Sequence, residues 1–146
     1  MKVIGIEHIG IAVKDLEKNA SFWKNIIGLK HCGTEDVDNH GVLTDIYDTG
    51  SGKIELLVSK YPDSPISKFI KKRGAGIHHI CLNVEDIDVA IEHMNRNKIK
   101  LIGDKPTIGA ENHKVIFIHP RSTVGHFGRI SRKNKLNLIF LKNLEV

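Results

Sequence analysis

A ten-residue pattern occurs twice in this chain. Ile6-Glu7-His8-Ile9-Gly10-Ile11-Ala12-Val13-Lys14-Asp15 returns as Ile77-His78-His79-Ile80-Cys81-Leu82-Asn83-Val84-Glu85-Asp86, with Ile, His, Ile, Val and Asp in register 71 positions later. A repeat of nearly half the chain length predicts two copies of one supersecondary unit, related by a pseudo-twofold axis. Each copy opens as a strand. Ile9, Ile11 and Val13 fall on one side and His8, Gly10 and Ala12 on the other, because side chains alternate along a strand. In the second copy Ile80, Leu82 and Val84 oppose His79, Cys81 and Asn83. One face is bulky and apolar, suited to covering by a helix. The other is small and polar, suited to lining a cavity.

A helix follows each strand. Asp15 and Asp86 are N-cap residues, since a short carboxylate accepts from the unpaired amides of the first turn. Leu16, Ala20, Trp23 and Ile27 keep helical spacing and Gly28 ends the run; Ile87, Ala90, Ile91 and Met94 repeat the pattern. Strands are expected near 29–36, 41–48 and 53–59, then near 99–102 and 114–119, with a last one after Thr123. The predicted fold is α+β: two βαβββ modules forming a curved mixed sheet around a metal cavity. Module 1 covers about residues 1–60 and module 2 about 76–146, in one domain. Between them a linker of about 61–75, containing Pro62 and Pro65, carries a short helix over Ile66–Lys72.

Three residues point to chemistry. In Lys53-Ile54-Glu55-Leu56-Leu57-Val58-Ser59 the apolar face is Ile54, Leu56 and Val58, and Glu55 lies opposite. A carboxylate on such a strand is costly unless it is paired, solvated or bound to a cation. His8 and His79 hold equivalent positions in the repeat. Two imidazoles and one carboxylate form a common donor set for a divalent ion: Co, Mn, Ni, Zn, Mg or Fe. His78 falls on the opposite face by strand parity and is assigned structural duty.

Composition narrows the remaining choices. The chain has 146 residues, 40% of them hydrophobic and 27% charged, which describes an ordinary globular protein rather than a disordered one. No apolar run approaches the roughly 20 residues of a membrane helix, and no membrane partner is expected. Cys32 and Cys81 stand outside any CxxC motif, so a reducing cytoplasm is the expected location. The net charge of +5 is spread along the chain. Its densest cluster, Lys68-Phe69-Ile70-Lys71-Lys72-Arg73, is read as a solvated helix face, with binding of an anionic ligand as the alternative, and no nucleic-acid motif is present.

Several segments together resemble methylmalonyl-CoA epimerases of the vicinal-oxygen-chelate (glyoxalase/bleomycin-resistance/dioxygenase) superfamily. They are His8-Ile9-Gly10-Ile11-Ala12-Val13, Lys53-Ile54-Glu55-Leu56-Leu57, Asp63-Ser64-Pro65-Ile66, Gly76-Ile77-His78-His79-Ile80, Ile108-Gly109-Ala110 and Ile116-Phe117-Ile118-His119-Pro120. The resemblance runs to about Thr123. It implies a divalent metal on His8, Glu55 and His79, an anionic thioester substrate, enolate chemistry and a homodimer. It also implies a fourth ligand, a glutamate, in the last strand of the second module; that position is Arg129 here. A catalytic acid proposed for another epimerase aligns with Thr44, beside Asp45, which leaves the catalytic residues unassigned. Competing readings are a lactoylglutathione lyase, an extradiol-type dioxygenase and a non-catalytic ligand-binding protein. Residues 126–130, His-Phe-Gly-Arg-Ile, lack the alternation of a ligand-bearing strand. An irregular or displaced segment is therefore expected from Gly125 to Lys135, with Leu136–Leu141 as a replacement strand and no carboxylate in the fourth position.

Overall fold

A computed structural model describes residues 1–37, 41–123, 128–133 and 135–141, the last two stretches as backbone. Contacts divide the chain into two compact units: His8–His78, and Met1–Glu7 with His79–Val146.

The first unit contains most of β1 (Val3–Ala12), then α1 (Leu16–Ser21), β2 (Lys30–Val37), β3 (Val42–Asp48), β4 (Lys53–Ser59) and α2 (Pro65–Arg73). Its strand order is β2-β3-β4-β1. The β2–β3 and β3–β4 pairs are antiparallel, while β1 and β4 run parallel with Gly10 opposite Glu55. Asp15 caps α1, its side chain accepting from the Lys18 amide. The predicted single helix instead widens into a π-helical turn over Phe22–Ile26, and Gly28 follows at φ +80°. The apolar faces behave as the alternation predicts. Val13, Tyr47 and Leu56 are buried with Ile11, Ile54 and, from the helical segment, Leu16, Ala20 and Trp23. The opposite face is less open than its small residues suggested. Ala12, Val42 and Leu57 are covered there by Ile66 and Phe69 of α2. That helix turns Lys68, Lys71, Lys72 and Arg73 to solvent, so the basic cluster is the polar side of an amphipathic helix.

The second unit holds β5 (Gly76–Val84, from His79 onward), α3 (Ile87–Arg96), β6 (Leu101–Ile108), β7 (Lys114–Ile118), β8 (Gly128–Lys133) and β9 (Lys135–Leu141). Asp86 caps α3, accepting from the amides of Asp88 and Val89. Val84, Ile87, Ala90, Ile116 and Ile118 form its core, with Leu82, Ile91 and Met94 packed against it. β6 is longer than expected and irregular in register between Ile102 and Thr107, where Gly103 takes φ +84°.

The irregularity expected from Gly125 to Lys135 is corrected over Gly128–Lys133, while residues 125–127 and 134 lie outside the described residues. Gly128–Lys133 is a strand, parallel to β5 with Cys81 opposite Arg129 and antiparallel to β7. A ladder needs only main-chain donors and acceptors, so a poor side-chain pattern does not prevent it. Lys135–Leu141 is a strand as well, but it is added to β8 as an antiparallel partner and does not replace it. The Arg129 side chain, and with it the expectation about a fourth ligand, lies outside the described residues.

Candidate metal centre

His8 and Glu55 are brought together by strand register. β1 and β4 are parallel neighbours with Gly10 opposite Glu55, and His8 lies two residues before Gly10 on the same face. The His8 Nδ1 stands 3.3 Å from the Glu55 Oε1, and both side chains are 4% exposed. Small neighbours make this possible, since Gly10 presents no side chain between them. A carboxylate withdrawn from water this far requires charge or hydrogen-bond compensation, and the imidazole nitrogen faces it directly. A nitrogen and a carboxylate oxygen at this spacing are suited to share one divalent ion.

His79 belongs to the second unit. It lies in β5 and is 5% exposed. Its position matches that of His8 within its own ladder: Cys81, two residues on, pairs with Arg129 of the parallel strand β8, as Gly10 pairs with Glu55 of β4. His78 is buried in the first unit, its ring edge-on to Phe69 of α2 with centroids 4.9 Å apart. That is a packing contact on the helix-covered side, in keeping with its structural assignment. Thr44 is buried on β3.

The sequence did not reveal a second polar group in the first unit. Asp45 is 6% exposed on β3. Its Oδ1 accepts from the Thr34 hydroxyl at 2.6 Å and lies 2.6 Å from the His31 Nε2, while the Tyr47 hydroxyl donates to its Oδ2. Burial pushes the carboxyl upward, but bonds from Thr34, Tyr47 and His31 outweigh it and hold Asp45 below its ordinary value. Burial and the adjacent carboxylate push the Tyr47 phenol well up. These residues edge a cavity of about 320 Å³ that Leu16, Ala20 and Lys24 also line. Asp45 alternates with Thr44 along β3, so it faces the α1 side. The available signal was an acid in an otherwise buried strand; its partners come from β2, which sequence spacing does not identify.

The chain belongs to the Glyoxalase/Bleomycin resistance protein/Dioxygenase superfamily, whose family model matches residues 7–117. Within it, the chain is similar to epimerases. Human mitochondrial methylmalonyl-CoA epimerase is 40% identical over 121 residues, spanning 82% of this chain and 69% of the human protein. The methylmalonyl-CoA epimerase structure from Mycobacterium tuberculosis superposes with a TM-score of 0.81 at 28% identity, covering 84% of this chain and 83% of that one. A methylmalonyl-CoA epimerase in complex with methylmalonyl-CoA and NH4+ gives a TM-score of 0.82 at 27% identity, covering 88% and 93%.

Proposed function

We propose that this protein is a metal-dependent epimerase of methylmalonyl-CoA, with one divalent ion held by His8, Glu55 and His79. The observation that carries the reading is the buried His8–Glu55 pair, placed by the parallel register of β1 and β4. The repeat supports His79 as the third donor, because it occupies the place of His8 in the second copy. The donor set fits: imidazole nitrogen and carboxylate oxygen are ordinary ligands of Zn, Co, Ni, Mn and Fe. The names of the relatives favour epimerisation over the lyase, dioxygenase and sequestering alternatives.

The reaction must remove a weakly acidic proton beside a thioester carbonyl and return one to the other face. When bound, a divalent ion supplies positive charge where the enolate oxygen becomes negative. His8 and Glu55 fix the place of that charge. Their burial keeps competing water away, which strengthens the electrostatics of the site. The net charge of +5 favours an anionic thioester.

A homodimer and a reducing cytoplasmic location belong to the same proposal. Val3, Ile4 and Ile6 leave apolar surface in solvent that a second copy would cover. Cys32 and Cys81 stand outside any CxxC motif, which suits a reducing compartment.

The test is proton exchange in D2O. Metal-loaded protein should wash the 2-proton of methylmalonyl-CoA into solvent at least tenfold faster than it turns over a glutathione hemithioacetal. The opposite preference assigns the chain to the lyase reading.

A further inference from the structure

The helix-covered side of the first unit holds a groove that the proposed metal chemistry does not use. The helical segment forms one wall of this cavity of about 320 Å³, and β2 and β3 form the other. That volume is within the range of small-molecule sites. Strand alternation separates the groove from the metal ligands. Asp45 pairs with Leu56 on β4, and Leu56 packs with Tyr47 beneath the helical segment. Glu55, one residue earlier, points to the other side of the sheet. The space comes from Ala20. It shares its apolar face with Leu16 and Trp23, and it is the smallest of the three.

Counting protons on the sheet wall shows what it can bind. Asp45 is buried and held below its ordinary value, so it is ionised at neutral pH and can only accept. Its three neighbours must donate to it. The Thr34 hydroxyl and the His31 Nε2–H reach Oδ1 at 2.6 Å each, and the Tyr47 hydroxyl reaches Oδ2. Each neighbour, with the imidazole neutral, has then used its one polar proton. Only lone pairs are left to face the groove: on Thr34 Oγ1, Tyr47 Oη, His31 Nδ1 and the second acceptor site of Asp45 Oδ2. Acceptors gathered around a buried negative charge are complementary to a cation rich in donors. The other lining charges agree. Asp45 and Glu17 stand against Lys24, which leaves one negative charge in excess. Leu16 and Ala20 add an apolar strip.

We propose that this groove binds a small primary amine as its ammonium ion. The head sits against Asp45, Thr34 and Tyr47, and the alkyl part lies along Leu16 and Ala20. An ammonium group carries three donors and no acceptor, which matches a wall that has acceptors and no proton left to give. Its single positive charge balances the single excess negative one. The site needs no part in turnover and does not depend on the metal centre.

The experiment is an NMR titration of isotope-labelled full-length protein with n-butylamine at neutral pH. 1-Butanol and butyrate serve as counterparts without charge and with the opposite charge. Butylamine should shift the amide signals of Ala20, Thr34 and Asp45 to saturation, with a Kd on the order of 1 mM for so small a ligand. Butanol should bind at least about tenfold more weakly, and butyrate should not bind, because the charge-assisted bonds are lost. Asp45→Asn should weaken butylamine at least about tenfold. Ala20→Leu fills the groove from the helix, leaves the polar network intact and keeps a good helix former, so it separates binding from folding. It should also weaken butylamine at least about tenfold by occupying the space. Glu17→Gln, on the exposed side of the helix, should weaken it roughly twofold to fivefold. Butyrate binding as tightly as butylamine would make Lys24 the anchor and overturn the proposal. Shifts that never saturate, or an Ala20→Leu protein that binds as the wild type does, would overturn it equally.

Discussion

The two units share one frame and furnish it differently. Each opens with a strand and a helix and continues in further strands, three in the first unit and four in the second, with the fourth strand of each parallel to its first. Each starts its helix with an aspartate cap. In the first unit Gly10 pairs with Glu55; in the second Cys81 pairs with Arg129. Ladder and helix thus survive a change from acid to base at the matching position. The helices differ too. α3 is a regular ten-residue helix, whereas α1 is six residues running into a π turn. A fold repeated by its backbone pairing and apolar pattern leaves polar positions free to diverge, because neither device depends on them.

The largest expected effect tests whether the matched histidines share one task. His8→Ala, His79→Ala and Glu55→Gln should each reduce kcat/KM for methylmalonyl-CoA by about 10²–10⁴-fold, in the range for lost electrostatic or acid–base groups. Near-normal turnover by His79→Ala beside an inactive His8→Ala breaks the equivalence of the repeats.

Core truncations compare the frames themselves. Leu56 is fully buried in the first unit and Ile116 is 1% exposed in the second. Leu56→Ala and Ile116→Ala should each cost about 2–5 kcal/mol in urea unfolding, from lost burial and a residual cavity. If the units unfold separately, each substitution should move only one of two transitions.

Asp45 has no acidic counterpart in the repeat, since its network of His31, Thr34 and Tyr47 exists in the first unit alone. Asp45→Asn should cost about 1–3 kcal/mol at pH 7, because buried donors lose a charged acceptor. The folded carboxyl lies below its ordinary value. The stabilisation it provides is therefore complete above the unfolded value, near pH 4, and disappears as pH falls through the folded one. Urea midpoints of wild type and variant should converge on acidification; a gap that widens would contradict the assignment.

The smallest effect concerns the caps. Asp86 accepts two amides and Asp15 one. Asp86→Ala should cost about 1–2 kcal/mol and Asp15→Ala about 0.5–1 kcal/mol. Equal losses would show that the second amide bond of Asp86 adds nothing.

Much of this protein is legible in its sequence because local rules act on neighbouring residues. Alternation placed Ile11, Val13 and Leu56 against α1, and helical spacing with an aspartate cap placed α3. The constant offset of the repeat identified His8 and His79 as equivalents, and the family resemblance pointed to Arg129 as the counterpart of an expected acid. Tertiary structure decided what depends on residues far apart in the chain. The 3.3 Å approach of His8 to Glu55 requires β1 and β4 to be parallel neighbours. Asp45 finds its donors through a β2–β3 register containing a shift between His31 and Gly33. Gly128–Lys133 forms a strand despite its irregular pattern because β5 and β7 offer it main-chain partners. Periodicity reports which face of an element is apolar, but only the pairing of distant strands determines which polar groups meet, since backbone hydrogen bonds carry no label of the side chains beside them.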